Sequence, residues 1–437
     1  MSIPTLQGLQ TALSGLLAEQ QALDVAGHNI ANANTEGYSR ERVVMETGPA
    51  IAIPALSAIT GEGAQLGTGV TIETYTRIRN AYLDAQYRTQ NTTLGAATRQ
   101  AEELEQAQSA FNEPSSAGIS AQLSNFWTAW NSLASAPTSE AAKEGVVAAG
   151  QRLASAFNQL TAQLHTISAQ ATQQYEARTG VNGEVVDDAR QIAQLNEQIK
   201  QAEQAHQPPN DMLDRRDELL DKLSALANVT VTQQPDGTDT VTFGDAAKPL
   251  VDGATVNWPQ TLTAAAGGQL GALLSLTGPT GGLTTFQNEL DAVAASVAAS
   301  VNALHTATPF FSGTTAATLK VAVTAAQVQT SSTGAPGGND VAVAIADLRG
   351  GAAEQGYSAL VGLVGSTVQG AKDEKANLET TLTAIGNQRQ AVSGVSLDEE
   401  MTNLITFQRG YQASARTLTA MDDMLEQLIE HTGRAGL

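Results

Sequence analysis

Both ends of this 437-residue chain carry the same kind of apolar stripe, and few folds can use two of them. Near the N-terminus, Leu6, Leu9, Leu13, Leu16, Gln20, Leu23, Gly27 and Ile30 fall at alternating steps of three and four. Near the C-terminus, Leu397, Met401, Leu404, Gln408, Tyr411, Ala415, Leu418, Asp422, Leu425 and Ile429 do the same. That spacing lays one seam along each helix. The expectation is that the two terminal helices bury these seams against each other as a coiled coil. Gln20, Gln408 and Asp422 lie within the seams, where polar side chains cost stability and fix register. A chain that commits both ends to such seams is built for assembly rather than chemistry.

Composition narrows the partners. The length exceeds one ordinary core and fits two to four domains. The apolar fraction of 42% allows packed domains, while aromatics at 4% suit long helices with small interfaces better than an aromatic-lined pocket. A net charge of -21 repels nucleic acid and anionic lipid, so neither is expected as a partner. The absence of cysteine excludes disulfides and thiolate chemistry, and suits a chain that passes unfolded through a narrow channel. No Lys or Arg precedes Arg40, and the start lacks the charged n-region and continuous apolar core of a secretory signal. No run reaches the roughly 18 apolar residues of a membrane span, so membrane insertion is not expected.

Punctuation residues divide the chain. A first helix is expected from about Thr5 to about Ala33, ended by Asn32 to Tyr38. Extended segments follow at Ser39 to Glu46, Ile51 to Ile59 and Gly69 to Tyr75. Helix resumes near Asn80, with Pro114 and Gly118 as a break and Phe126, Trp127 and Trp130 as core anchors. Thr138 or Ser139 can cap the next helix, whose stripe through Leu153, Leu160 and Ile167 continues at Ile192 and Ile199. Gly180 to Gly183 makes this one very long rod or two helices in series. A short helix, Met212 to Leu226, should carry Asp214, Arg215, Arg216 and Asp217 on its exposed side.

Val229 to Thr232 and Thr240 to Phe243 flank Pro235-Asp236-Gly237, a hairpin pattern. Leu250 to Leu262 and Gly268 to Leu276 read as further strands or turns. Helix returns from Gly282 to His305, strand and turns from Pro309 to Asp347, and helix from Tyr357 to Glu430 with a break at 393–396. Ser396 can cap the last helix. The expected fold is mainly α with β-rich inserts: an elongated multidomain chain with paired terminal helices, a long-helix bundle and small mid-chain β domains. Its parts are a terminal assembly domain (1–38 and 395–437), a helical rod (39–228, 281–305 and 351–394), a β-rich insert (229–280) and a second β/loop insert (306–350).

No catalytic constellation emerges, and no cofactor is expected. His28, His165, His206, His305 and His431 lack metal-binding spacing and read as solvated or packed side chains. No phosphate loop or nucleophile elbow occurs. Asp187/Asp188, Glu399/Glu400 and Asp422/Asp423 read as solvated faces or helix starts rather than paired acids and bases.

The run Asn29-Ile30-Ala31-Asn32-Ala33-Asn34-Thr35-Glu36-Gly37-Tyr38 resembles the signature of bacterial flagellar axial proteins, the rod, hook and hook-associated subunits. Ser393 to Met401, Leu404, Phe407 to Arg409 and Tyr411 to Arg416 resemble the end of the hook-associated protein 1 family, as do Leu213 to Leu219 and Gly268 to Leu274. The resemblance is strong at both ends and weak in the two inserts. It implies a structural subunit of the hook–filament junction, with no enzymatic activity, that leaves the cell through the flagellar type III channel without a cleaved signal. It also implies homo-oligomerisation in the axial structure, contact with hook protein and a second hook-associated junction protein, and a cytosolic export chaperone on the C-terminal helix. The implied assembly residues are Leu9, Leu13, Leu16, Leu23, Ile30, Leu397, Met401, Leu404, Tyr411, Leu418, Leu425 and Ile429.

Overall fold

A computed structural model describes residues 3–53 and 64–432. Residues 54–59 of the expected extended run, and 1–2 and 433–437 of the terminal assembly domain, lie outside the described residues. The chain is mostly helical with small antiparallel sheets. It begins with α1 (Ile3–Ala31), followed by β1 (Glu41–Thr47), β2 (Ile51–Ile53), β3 (Ala64–Leu66) and β4 (Val70–Arg77). β1 pairs with β4 around a bulge at Val44/Met45, and β2 pairs with β3. This ribbon lies along α1, where the Val70 N–H donates to Ser14 Oγ at 3.3 Å.

The helical body follows: α2 (Ala81–Phe111), α3 (Ile119–Ser135), α4 (Glu140–Thr179), α5 (Glu184–Gln204) and α6 (Asn210–Leu226). Ser139 caps α4, its Oγ accepting the Ala142 N–H at 3.2 Å. The rod is two helices in series. Gly180 ends α4, and a Cβ at Gly183 would strike the Arg178 carbonyl, so the chain turns here before α5. β5 (Val229–Gln233), β6 (Asp239–Phe243), β7 (Val251–Asp252) and β8 (Thr255–Val256) form an antiparallel meander. Its first hairpin turns at Gly237, with φ +80.

Two elements depart from the expected strands. Gly268 to Leu276 is helical, as α7 (Gly268–Thr277). Gly267 and Gly268 both have positive φ, and a Cβ at Gly268 would lie 2.5 Å from the Leu226 carbonyl carbon. The tight turn they permit drops Leu270 and Leu273 into the core beside α2, α4 and α6. After α8 (Gly282–Leu304), the expected β segment holds only the two-residue strands β9 (Phe311–Ser312) and β10 (Lys320–Val321) and then a helix, α9 (Asp340–Ala346). Val341, Ala342 and Ile345 bury one face of α9 against α3, and Asn339 Nδ2 donates to the Ala134 carbonyl at 2.8 Å. α10 (Ala352–Ser393) and α11 (Leu397–Thr432) complete the chain.

Two cores hold the body. In the larger, Phe126, Trp127 and Trp130 are fully buried among α3, α4, α8, α9 and α10, with Phe310 and Phe311 against Phe126 at 5.6 and 5.4 Å. His305 is packed here. Its Nδ1 donates to the Thr308 carbonyl at 2.5 Å and its Nε2 accepts the Gln329 N–H at 2.8 Å. This pairing assigns the neutral ring, and burial holds its pKa below the ordinary histidine value. The smaller core joins α5, α6 and the meander.

Charged residues on α5 and α6 are less exposed than their sequence context implies. Asp214 and Arg216 are buried. Arg216 reaches Asp239 at 2.9 Å, Asn196 Oδ1 at 2.9 Å and the Gly237 carbonyl at 2.9 Å, tying α6 to α5 and the hairpin. Asp188 is also buried rather than on a solvated face, and its Oδ2 has no partner. Burial, reinforced by Glu184, pushes its carboxyl up to about 6. The folded state therefore holds this proton more tightly than the unfolded chain, and Asp188 lowers stability as pH rises from about 4 to 6. Asp188→Asn should stabilise the protein by about 1 kcal/mol or more at pH 8, with the gain vanishing near pH 4. Urea unfolding at the two pH values checks this; a loss of stability at pH 8 would refute it.

Candidate assembly interface

The two terminal helices lie against each other and run antiparallel. A Cβ at Gly8 would come within 2.6 Å of Met421 Cε, one at Gly15 within 3.1 Å of Ser414 Oγ, and one at Gly410 within 2.5 Å of Glu19 Oε1. Asn29 meets Glu400 at the far end. The face that α1 turns to α11 is thus a ladder of small residues, Gly8, Ala12, Gly15, Ala22, Ala26 and Asn29 with Glu19, at alternating steps of four and three. Absent side chains let two backbones approach closely.

This places the sequence-predicted residues differently from a mutual Leu seam. Leu9, Leu16, Leu23 and Ile30 are half-buried, and Leu13 is 43% exposed. On α11, Leu404, Tyr411, Leu418 and Leu425 are half-buried toward α1, whereas Leu397, Met401 and Ile429 are 50, 58 and 75% exposed. The small ladder lies about a quarter-turn from the Leu stripe, so packing it inward turns the leucines sideways and out. Leu17, Ile405 and Met424 join them on the surface.

The turn after α1 explains its residue types. Asn29 is 1% exposed and makes four hydrogen bonds. Its Oδ1 accepts from Tyr38 Oη at 2.7 Å and the Glu41 N–H at 2.9 Å. Its Nδ2 donates to the Glu41 carbonyl at 2.9 Å and to Glu400 Oε2 at 3.2 Å. One amide thus joins α1, β1, the turn and α11, and both its ends are saturated. Asn32 Oδ1 accepts from Thr35 Oγ1 at 3.1 Å, and Gly37 takes φ +80 to turn the chain. Ile30 is half-buried, while Ala31, Asn34, Thr35 and Gly37 are exposed. Tyr38 stacks on His28 at 5.5 Å, and burial raises its phenol far above the ordinary range. Arg40 adds ion pairs to Glu399 at 2.6 Å and Glu400 at 2.7 Å.

Beneath the turn, four arginines and four aspartates alternate around a closed ring. Arg77 contacts Asp214 (2.6 Å) and Asp217 (2.9 Å); Arg79 contacts Asp214 (3.7 Å), Asp217 (3.0 Å) and Asp84 (2.7 Å). Arg88 contacts Asp217 (2.9 Å) and Asp221 (3.0 Å); Arg389 contacts Asp221 and Asp84, both at 2.6 Å. The ring unites β4, α2, α6 and α10. Ser39 hooks the turn onto it, its N–H and Oγ donating to Asp214 at 2.8 and 2.7 Å. Burial pushes Asp217 up, but Arg79, Arg77 and Arg88 more than offset it and hold the carboxyl below its ordinary value. Spacing alone gave no sign of this ring, because its members span 312 sequence positions from Arg77 to Arg389 and meet only through the packing of α10 on α2. Among the described residues, no group of three or more His, Asp or Glu is placed to hold a metal, and no helix is long and apolar enough to cross a membrane.

Comparison with known proteins agrees with both ends and the middle. Residues 9–38 match the family described as flagella basal body rod protein, and 387–430 match the flagellar basal body rod FlgEFG protein C-terminal family. These two segments, paired in space, define an axial-type flagellar protein. Residues 104–265 match the flagellar hook-associated protein FlgK helical domain. Flagellar hook-associated protein 1 of Bacillus subtilis (strain 168) is 30% identical over 511 aligned positions, covering 99% of each chain. The counterpart of Escherichia coli (strain K12) is 26% identical over 64% of this chain and 52% of its own. That of Salmonella typhimurium (strain LT2) is 29% identical over 68% of this chain and 56% of its own. A solved flagellar hook junction protein FlgK from Burkholderia pseudomallei shares 26% identity, with a TM-score of 0.44 over 51% of this chain and 43% of that one. The chain belongs to the flagellar hook-associated protein 1 family.

Two substitutions probe the node and the ring. Asn29→Ala removes the Asn29 hydrogen bonds from Tyr38, Glu41 and Glu400, of which Glu400 keeps its ion pair with Arg40, and should cost about 2 kcal/mol in urea unfolding. Asp217→Ala leaves three guanidiniums facing a gap and should cost about 3 kcal/mol at pH 7. Because the folded carboxyl sits below its ordinary value, that stabilisation is present above the usual aspartate range and fades as pH falls beneath it. A Asp217→Ala penalty equally large at pH 2.5 would show that the ring is not its source.

Proposed function

We propose that this chain is a structural subunit of the hook–filament junction, with no enzymatic role. It leaves the cell unfolded through the flagellar type III channel, takes its place in the external flagellum and serves motility there. Its partners are further copies of itself, the hook protein and a second hook-associated junction protein. A cytosolic chaperone covers α11 before export. Residues 1–38 and 395–437 form the assembly segment, a coiled coil completed by adjoining copies, and the helical rod and mid-chain inserts project from it.

The observation that carries this reading is the outward apolar surface of the terminal pair. Leu13, Leu17, Leu397, Met401, Ile405, Met424 and Ile429 are 43–75% exposed on α1 and α11, so these two helices carry seven of the thirteen large apolar side chains exposed among the described residues. Such a surface on two marginally covered helices is stable when neighbouring copies cover it. Membership in the hook-associated protein 1 family supplies the flagellar setting.

A strain whose only copy is Leu13→Asp/Leu17→Asp tests it. Both side chains are solvent-exposed, so purified variant should melt within about 2 °C of the parent. The strain should make hooks without filaments and release flagellin into the medium. Normal filaments and swimming would reject the reading.

A further inference from the structure

The outer face of α11 carries a charge pattern that nothing in this chain consumes. Arg409, Arg416, Asp423 and Glu430 fall at steps of seven, so they form one stripe along the helix. All four are exposed, and among the described residues none takes part in an ion pair. The stripe lies away from the side that meets α1, which runs through Glu400, Leu404, Ser414 and Met421. Neither arginine has an acidic residue three or four positions away on its helix, so the usual local partner is missing. Asp423 has Glu426 three positions on, a like charge. The order along the stripe is therefore positive, positive, negative, negative, with no internal neutralisation.

We propose that this stripe sets the stagger between neighbouring copies: α11 of one copy packs parallel to α11 of the next, displaced by two heptads. The occupant is a second copy of this chain, and charge complementarity selects it. A shift of fourteen residues, about 21 Å along the helix axis, brings Arg409 and Arg416 of one copy opposite Asp423 and Glu430 of the next. The same shift sets Ile405 of the first copy over Thr419 of the second, beside the charged stripe. Any other heptad shift leaves at least one arginine opposite a like charge or an uncharged residue: a shift of seven sets Arg409 against Arg416, and a shift of twenty-one sets Arg416 against Leu437. An antiparallel arrangement would also match opposite charges, but two-fold pairing points the copies in opposite directions, whereas a growing axial structure needs them all to point the same way. The proposal rests on the junction reading for that direction.

The charges can be swapped, and the lack of cysteine makes the geometry readable. Arg409→Glu/Arg416→Glu makes the stripe wholly acidic, and Asp423→Lys/Glu430→Lys makes it wholly basic. Each should reduce filament number at least tenfold, while the fourfold swap, which restores complementarity with inverted signs, should recover filaments. Normal filaments in both double variants, or no recovery in the fourfold swap when its purified protein is folded, would overturn the stagger. In washed, sheared flagella, Ile405→Cys/Thr419→Cys should form disulfides between copies under mild oxidation, and Thr419→Cys alone should not. Efficient self-linking of Thr419→Cys would show two-fold pairing and overturn the proposal. Loss of the junction reading itself would look different: a strain lacking the whole protein would then still grow normal filaments.

Discussion

The close approach of α1 to α11 through glycine and alanine is the constraint on which the rest depends. Two helices can bury only one face on each other. On α1 that face is Gly8, Ala12, Gly15, Ala22 and Ala26, so contact between the termini removes little apolar area from α1, leaving Leu13 and Leu17 exposed and Leu9, Leu16 and Leu23 half-buried. Had α1 turned its Leu stripe to α11, the pair would bury more apolar surface, at about 25 cal/mol per Å². The chain forgoes that stabilisation within the monomer and leaves Leu13, Leu17, Met401 and Ile405 on the surface.

A weak helix pair needs an anchor, and polar chemistry provides it. Asn29 saturates both ends of its amide across α1, β1, Tyr38 and Glu400, so the register of the termini is set at one point. Ser39 then links that point to Asp214 and the Arg–Asp ring, which gathers β4, α2, α6 and α10. The sequence order is therefore a mechanical order: the terminal pair, the hydrogen-bonded node, the charged ring, and then the two apolar cores. Ion pairs that share partners in a network hold geometry better than isolated surface pairs, because each side chain is already restrained by the next.

Much of this organisation was legible in the residues themselves. Pro235-Asp236-Gly237 announced its hairpin, Ser139 its helix cap, and Phe126, Trp127 and Trp130 their core, since each signal acts within a few residues. The stripes announced two terminal helices, but not which face of α1 meets α11. Periodicity reports an apolar face and is silent on whether its partner lies in the same chain, and the competing Gly/Ala ladder carries almost no hydropathy signal. α7 was hidden because its helix follows two glycines whose positive φ reads as turn or strand punctuation. α9 was hidden because its seven residues sit between glycine-rich segments and owe their helix to packing on α3. Asp214 and Arg216 read as surface charges because burial of a charge depends on partners far away in sequence, such as Ser39, Arg77 and Asp239.

Hydrogen exchange on α1 and α11, compared between free protein and intact flagella, tests the central claim most directly. If the termini are an unfinished surface, their amides exchange far faster in the free protein than those of α3 and α4, and incorporation slows them at least a hundredfold with little change in the body. Termini already as protected as α3 and α4 in the free monomer would mean that the outward leucines await nothing, and would contradict the account.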